Sequence, residues 1–300
     1  MEAFMDRNEL EIRVGDWSVG LRPDLGGCLS HFRQYSPGDG VTDWLRPLEG
    51  DDALQSACYP LVPFSNRIDQ GRFTQDGQEI QLPLNFPPEP HAIHGFGCWR
   101  PWEVAAQHVD SVTLAYNHEP DAWPWAFRAE QVVSLTDGRL SIGLSVTNQA
   151  ESLMPVGLGL HPFFAKAVPA AVRMHVAAIH ETDEFCMPVR RNIHHPVLTD
   201  FAGGKRLREG LDNCFDGWDG QAQLSWADGR RMTMTSNGLA NHVVVYSPEG
   251  EDFFCVEPVT HMTDAANRQD SDWGGNTGWR QLPPGEELTL TMALAAQAAG

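Results

Sequence analysis

Five short segments of this chain place an acid, a base or an ion-pairing residue among apolar residues, glycines or prolines. They are PFSNRI (63–68), HAIHGFG (91–97), GLGLHPFF (157–164), LDNCF (211–215) and CVEPVTHM (255–262). Together they supply one Arg, at least two His, an Asp and a Glu. Such a set has enough donors, acceptors and titratable groups to hold a polyol and to move protons on it.

His161 and Glu257 are the candidates for proton transfer. His161 follows GLGL and precedes Pro-Phe-Phe, which predicts an imidazole at a strand end against aromatic walls, near neutrality and ready to exchange a proton. Glu257 lies in FFCVEPVTH, where burial of the carboxylate requires either a partner or a raised pKa. The alternatives are a core His bonded to backbone and a structural ion pair between Glu257 and an Arg.

Arg67 and His94 are candidates for holding a ligand. Arg67 is a charge in the apolar segment YPLVPFSNRI, and its five fixed donors suit vicinal hydroxyls or a carboxylate. The alternative for Arg67 is a buried salt bridge, for which Glu257 is one candidate partner. His94 precedes Gly95 in HGFG, where glycines allow a tight turn that brings a side chain near a ligand.

Asp212 is the third candidate for ligand binding, because Leu211 and the Cys214-Phe215 pair on either side of it favour an inward position. Asp216 and Asp219 are expected to be solvated turn carboxylates. Aromatic residues could stack on the apolar face of a sugar ring, and Trp123, Trp125 or Phe163 could provide that platform.

No metal or cofactor site is expected. His91 and His94 have neither the spacing nor the helix of the HExxH motif. GxGxxG after a strand, GxxxxGK[ST] and GxSxG are missing from the sequence, which disfavours nucleotide and acyl-enzyme chemistry. A formal charge of −19 disfavours nucleic acid and anionic membrane surfaces as partners.

These residues need a framework of strands. Apolar and polar residues alternate at period two, which predicts half-buried strands within 9–23, 111–119, 127–149, 222–237, 241–248 and 288–294. Asp137-Gly138 and Asp228-Gly229 lie between such runs and predict two hairpins. Helical periodicity is weak, with its best candidates near 51–58 and 263–268, and the proline-rich stretch 82–92 predicts an extended loop. The sequence therefore predicts an all-β fold of mostly antiparallel strands.

The composition fits one globular unit. Apolar residues make up 42 % of the chain and charged residues 20 %, no linker or internal repeat divides it, and a single domain over 1–300 with a tail at AAQAAG (295–300) is expected. Six scattered cysteines without a CxxC pair predict reduced thiols. The N-terminal segment has no signal-like pattern and no stretch reaches eighteen apolar residues, so we expect a cytoplasmic protein; no oligomeric state is predicted.

Taken in order, these segments resemble those of the aldose 1-epimerase (galactose mutarotase) family. The matching segments are NRI (66–68), HG (94–95), GLHPFF (159–164), LDNCF (211–215) and VEPVTH (256–261), and the resemblance extends from about residue 10 to LPPGE (282–286). It implies a galactose mutarotase-like β-supersandwich. It also implies an isomerase that interconverts the α and β anomers of a hexose by ring opening and reclosure, without a cofactor and with a small-molecule sugar as its partner.

The resemblance implies a role for each candidate. His161 would be the general acid and Glu257 the general base, while Arg67, His94 and Asp212 would hold the sugar. The family pattern differs after HGFG, where Cys98-Trp99-Arg100 follows, and at Phe163-Phe164, where a Tyr-Phe pair is frequent. These differences leave the particular sugar open.

Three other functions stay open at this point. A hexose-6-phosphate 1-epimerase would need a basic cluster for the phosphate, such as Arg190-Arg191 or Arg100. A non-catalytic carbohydrate-binding protein would keep the pocket, although binding alone does not need an acid and a base together. A cupin-like metalloenzyme would use His91, His94 and a carboxylate.

Overall fold

The computed structural model describes residues 9–297 except 37, 39 and 269. Residues 1–8 and 298–300 lie outside the described residues, as do the side chains of 270 and 271. The described residues form mainly strands, with two short α-helices, α1 (Pro196–Ala202) and α2 (Asp270–Trp273). Single turns of 3₁₀-helix occur at Ala53–Gln55, Asp69–Gly71, Gly97–Trp99 and Ala265–Asn267.

The strands follow one another closely along the chain. The first thirteen are β1 (Leu10–Val14), β2 (Trp17–Arg22), β3 (Cys28–Ser36), β4 (Gly40–Leu45), β5 (Cys58–Leu61), β6 (Arg67–Ile68), β7 (Arg72–Gln75), β8 (Gln78–Gln81), β9 (Ala92–Ile93), β10 (Glu103–Gln107), β11 (Ser111–His118), β12 (Phe127–Thr136) and β13 (Arg139–Asn148). The remainder are β14 (Met154–Val156), β15 (Gly159–Ala165), β16 (Ala170–Met174), β17 (Ala178–Thr182), β18 (Pro188–Asn192), β19 (Leu211–Asp216), β20 (Gln221–Trp226), β21 (Arg231–Ser236), β22 (His242–Ser247), β23 (Phe253–Val259), β24 (Arg280–Leu282) and β25 (Glu287–Gln297).

Two large sheets contain most of these strands. The first has eleven strands in the order β1-β2-β3-β4-β15-β23-β22-β19-β17-β18, with β5 paired to both β15 and β3. The second has eight strands in the order β10-β11-β12-β13-β25-β21-β20-β16. Strand pairs within both sheets are antiparallel, and three two-stranded ribbons accompany them: β14-β24, β6-β9 and β7-β8.

The two large sheets share one hydrophobic core. Along β12, Phe127, Ala129, Val133 and Leu135 are buried at alternate positions, as the period-two pattern requires. The edge of Trp44 on β4 of the first sheet contacts Trp226 on β20 of the second, with ring centroids 5.8 Å apart. The sheets therefore pack face to face and exclude water between them.

The central strands β15 and β23 are buried on both faces. Leu160 and Phe164 of β15 join the core between the sheets, whereas Phe163 belongs to a second apolar cluster on the opposite face. Likewise Phe254 of β23 points to the main core and Cys255 to the second cluster. This double burial explains why GLGLHPFF and FFCVEPV are almost continuously apolar instead of alternating.

The all-β, mostly antiparallel prediction is confirmed. Both hairpins form: Thr136 pairs with Arg139 around Asp137-Gly138, and Ser225 pairs with Arg231 around Asp228-Gly229. Residues 82–91 of the proline-rich stretch connect β8 to β9 without strand or helix, and Ala92 begins β9. The expected C-terminal tail is wrong over 295–297, which are the last residues of β25; residues 298–300 lie outside the described part.

No helix of the described residues has the length and hydropathy of a membrane span; the longest, α1, has seven residues.

The six cysteines are all free thiols, and five of them are buried.

Buried uncharged histidines should make the stability depend on pH. Burial lowers the pKa of His242 to about 3 and that of His261 to about 4. An unfolded chain protonates both near pH 6.5, so below that value it binds more protons than the folded chain, and the free energy of unfolding falls as pH decreases. Each His should contribute about 1.4 kcal/mol per pH unit between pH 6.5 and its folded pKa.

Urea denaturation at several pH values between 7.5 and 5 would measure this slope. His242→Gln should reduce the slope, while the same change at the exposed His175 should leave it unaltered. A free energy of unfolding that stays constant over this range would contradict the prediction.

Candidate active site

A cleft of about 560 Å³ opens on the face of the first sheet that points away from the shared core. The structure places all five candidates from the sequence in its lining: Arg67, His94, His161, Asp212 and Glu257. Four of the five lie on different strands, β6, β15, β19 and β23, and His94 lies directly after β9. Residues almost two hundred positions apart in sequence therefore meet in one pocket.

His161 and Glu257 face each other across the two central strands. The pairs Gly159–Val259 and Phe163–Cys255 set the register of β15 and β23, and His161 and Glu257 stand opposite each other midway between them. The imidazole Nε2 of His161 lies 3.3 Å from the carboxylate Oε1 of Glu257. Both residues are buried, with exposed fractions of 6 % and 2 %. Among the described residues, this is the one ion-pair contact of Glu257, so the alternative of a structural ion pair between Glu257 and an Arg is not seen there.

Aromatic rings hold the His161 imidazole in place. It stacks on Phe163 with centroids 4.5 Å apart and an angle of 14°, and the ring of Tyr59 lies 4.6 Å away on the paired strand β5. Nδ1 of His161 has no hydrogen-bond partner among the described residues. Nε2 is the ring nitrogen that faces Glu257.

Burial sets the charge state of this pair. It lowers the pKa of His161 well below its usual value, helped by His94 and Arg46, and it raises the pKa of Glu257 well above its usual value, helped by Asp212. Each group alone resists a charge, but one proton shared by the two leaves the pair neutral overall whichever group holds it. The contact can thus interconvert an acid beside a neutral imidazole and a carboxylate beside an imidazolium.

Arg67 is held by carboxylates on two sides. Its Nε and Nη2 donate to Glu89 at 2.8 and 2.7 Å, a bidentate contact, and Nη2 lies 3.7 Å from Asp212 Oδ2. Burial opposes the charge on Arg67, but these carboxylates outweigh it and hold its pKa above the usual range. The salt bridge proposed between Arg67 and Glu257 is absent from the described contacts, and Glu89 and Asp212 take that role instead.

His94 lies on a strained turn that fixes its tautomer. Its φ of +63° is in the left-handed region, and so is that of Gly95 at +67°, where a Cβ would come within 2.3 Å of the Val62 carbonyl oxygen. Asn66 N–H donates to Nδ1 of His94 at 3.2 Å, so the proton of the neutral ring is on Nε2. Burial, with Arg67 nearby, lowers the pKa of His94 to about 3. His94 is therefore an uncharged hydrogen-bond donor.

Sequence reasoning missed several residues of the cleft. Glu89 lies in the proline-rich stretch 82–92, where a charged residue between prolines was the available signal. Tyr59, Arg46 and Cys186 also line the cleft. Arg46 lies over Phe163, with its guanidinium carbon 3.8 Å from the ring centroid, and its Nη2 donates to the carbonyl of Leu54.

Of the three suggested aromatic platforms, Phe163 lines the cleft. Trp123 and Trp125 contact each other in the core between the sheets and do not line it.

The suggested phosphate cluster does not form at the cleft. Arg191 donates twice to Asp216, Arg190 pairs with Glu181, and Arg100 is exposed outside the cleft lining. The expectation that Asp216 is a solvated turn carboxylate is wrong, because it is 5 % exposed and also bonded to His180. Asp219 is exposed in a turn as expected.

Of the two histidines suggested for a metalloenzyme, His94 lines the cleft and His91 does not. His91 lies outside the cleft lining, where its Nδ1 accepts from Gln70 N–H. In the described part of the chain, the group of side chains suited to a metal ion is a different one: His161, Cys255 and Glu257.

Comparison with known proteins identifies solved structures with the same fold and a protein family that matches the chain. The family model for aldose 1-epimerase matches residues 21–295. The uncharacterized protein YphB of Escherichia coli K12 is 30 % identical over 291 residues, covering 91 % of this chain and 94 % of that protein. A crystal structure of a putative aldose 1-epimerase from Escherichia coli K12 superimposes with a TM-score of 0.85 at 29 % identity, covering 96 % of this chain and 98 % of the other. Galactose 1-epimerase from Lactobacillus acidophilus shares the fold, with a TM-score of 0.74 at 16 % identity over 100 % and 98 % of the two chains.

The antiparallel two-sheet fold is shared with galactose mutarotase-like proteins, and the comparisons support a carbohydrate epimerase. With the family model matching nearly the whole length, the chain belongs to the aldose 1-epimerase family.

The Glu89 carboxylate should be needed to keep Arg67 stable in the cleft wall. Glu89→Gln removes the charge of the bidentate partner but leaves Asp212, so we expect a loss of about 1–3 kcal/mol in the free energy of unfolding. Glu79→Gln is the matched control, because Glu79 pairs with Arg72 at the exposed β7-β8 ribbon, where such pairs contribute at most about 1 kcal/mol. Equal urea midpoints for the two variants would contradict a structural role for Glu89.

Proposed function

We propose that this protein is a mutarotase that interconverts the α and β anomers of an unphosphorylated aldose. The observation that carries the proposal is the 3.3 Å contact of His161 Nε2 with Glu257 Oε1, buried in a cleft with three further hydrogen-bonding residues. Two oxygens on one carbon, the ring oxygen and the anomeric hydroxyl, are the reacting atoms of a pyranose. A facing acid and base suit two atoms so close together.

The reaction needs only proton transfers. Glu257, as carboxylate, accepts the proton of the anomeric hydroxyl; the bond between C1 and the ring oxygen breaks, and that oxygen takes the proton of His161. The open-chain aldehyde rotates about the C1–C2 bond. Reclosure returns one proton to His161 and one from Glu257 to the new anomeric hydroxyl, so the enzyme ends as it began.

The other three residues position the sugar. Arg67 and His94 Nε2–H would donate to sugar oxygens and steady the negative charge that develops on oxygen during ring opening. Asp212 would accept from ring hydroxyls. Because Arg67 is already fixed by Glu89, its guanidinium is oriented before the sugar arrives, which lowers the cost of binding.

The charge of the cleft favours an uncharged sugar over a sugar phosphate. Its described lining contains the guanidinium groups of Arg46 and Arg67 and the carboxylates of Asp52, Glu89, Asp212 and Glu251, besides the overall neutral pair of His161 and Glu257. Arg67 is already paired, and the three Arg residues suggested for a phosphate lie elsewhere. This excess of carboxylates opposes a phosphate dianion.

We further propose that the chain acts as a single domain with this one cleft and that it works in the cytoplasm. The core shared by both large sheets supports the first statement. Six free thiols suit a reducing compartment, which supports the second.

Loss of either proton carrier should abolish catalysis while the fold persists. Glu257→Gln and His161→Asn should each slow enzyme-dependent anomer exchange by about 10²–10⁴-fold, the usual contribution of a positioned acid or base. Polarimetry of freshly dissolved α-D-glucose and α-D-galactose would measure the rate, with thermal melting to verify folding. Full activity in both variants would refute the assignment of roles, and sugar binding without acceleration by the wild type would favour a non-catalytic carbohydrate-binding protein.

Phosphate on the sugar should weaken turnover. We expect kcat/KM for glucose 6-phosphate to be at least about ten-fold below that for the better of glucose and galactose, since one unfavourable charge contact of about 1.4 kcal/mol gives that factor. Exchange between anomers can be followed by magnetisation-transfer NMR for both sugars. A preference for glucose 6-phosphate would instead identify a hexose-6-phosphate 1-epimerase.

A further inference from the structure

A third potential ligand lies beside the proposed acid and base. The thiol of Cys255, two residues before Glu257 on β23, points to the same face of the sheet as the Glu257 carboxylate. The Sγ of Cys255, a ring nitrogen of His161 and a carboxylate oxygen of Glu257 lie within 4.8 Å of one another. The proposed proton transfer does not use Cys255.

The spacing of these atoms suits a tetrahedral metal ion. Zinc binds His nitrogen at about 2.0–2.1 Å and carboxylate oxygen at about 2.0–2.2 Å, so two such ligands in a tetrahedron are separated by about 3.3–3.5 Å. His161 Nε2 and Glu257 Oε1 are 3.3 Å apart. These two ligands would need little movement, and a modest shift of the Cys255 side chain would complete a set of three.

The charges of the three ligands also suit a divalent cation. A thiolate and a carboxylate together cancel two positive charges, so a metal complex with neutral His161 adds no net charge to a buried site. The thiol proton and the proton held by the His161–Glu257 pair would both leave to solvent on binding. His161 and Glu257 line the cleft, so a fourth position would face it and take water or a sugar hydroxyl.

We propose that His161, Cys255 and Glu257 form an inhibitory binding site for Zn²⁺ or a similar thiophilic divalent cation. Inhibition rests on the proposed function: a metal ion on Nε2 and on the carboxylate occupies the lone pairs that proton transfer requires. Metal binding and anomer exchange therefore exclude each other. A sulfur and a nitrogen ligand select against Mg²⁺ and Ca²⁺, which prefer oxygen.

Metal binding can be measured without any sugar. Chelator-treated protein would be titrated with ZnCl₂ by calorimetry, and with CoCl₂ by absorption, where a thiolate-to-cobalt charge-transfer band reports a bound cysteine. Cys255→Ser should weaken zinc binding by about 100-fold or more, since the loss of even an outer partner of a ligand costs 10–100-fold. Cys214→Ser is the matched control, because Cys214 is another buried thiol of the second apolar cluster but lies outside this group of three.

Inhibition of anomer exchange by zinc is a second measurement, independent of the binding titrations. Zn²⁺ should inhibit wild type and Cys214→Ser in polarimetry, whereas MgCl₂ at the same concentration should not. Cys255→Ser should keep anomer exchange within a few-fold of wild type and resist zinc.

The outcomes separate the two proposals. One zinc ion per chain with the cobalt band, in a protein that exchanges no anomers, would support the site and refute the proposed function. An active enzyme that binds no zinc, or a Cys255→Ser variant that binds zinc as tightly as wild type and shows the same cobalt band, would overturn the site.

Discussion

The double burial of β15 and β23 is the constraint on which the site depends. Because one face of each strand packs in the core between the sheets, neither strand can shift without disturbing that core, and the register that sets His161 opposite Glu257 is fixed. The other face carries His161, Glu257 and their aromatic neighbours. Burial there makes a separate charge on either group costly, so the pKa of His161 is lowered and that of Glu257 is raised across their 3.3 Å contact.

A second electrostatic constraint in the cleft concerns the buried guanidinium of Arg67. A buried guanidinium is stable only when it is paired, and Arg67 obtains two carboxylate partners from distant parts of the chain. Glu89 accepts from Nε and Nη2 of Arg67, while Asp212 contacts Arg67 and also helps to raise the pKa of the buried Glu257. Arg67 and the His161–Glu257 pair are thus electrostatically linked through Asp212.

Sequence reasoning predicted the all-β fold and five residues of the cleft lining because both follow from local patterns. Alternation and Asp-Gly turns predict hairpins, and a charged residue within an apolar run predicts a buried polar site. Sequence reasoning failed where the burial or pairing of a residue depends on a hydrogen-bond partner that is distant in the sequence. Asp212 and Asp216 share one face of β19 at period two, yet Asp216 is buried because Arg191 and His180 reach it from two other strands. Glu89 was missed because its partner is 22 residues away.

The same distance in sequence explains why the sequence alone does not indicate a ligand role for Cys255. A lone cysteine in a buried strand is normally an apolar residue, and only the register of β15 against β23 brings its sulfur to a histidine ninety-four positions earlier. The imidazole and the carboxyl group proposed to transfer protons also offer the nitrogen and oxygen that a thiophilic metal needs. One further sulfur on the same face completes the set, so the geometry proposed for catalysis is also what exposes the site to metal ions.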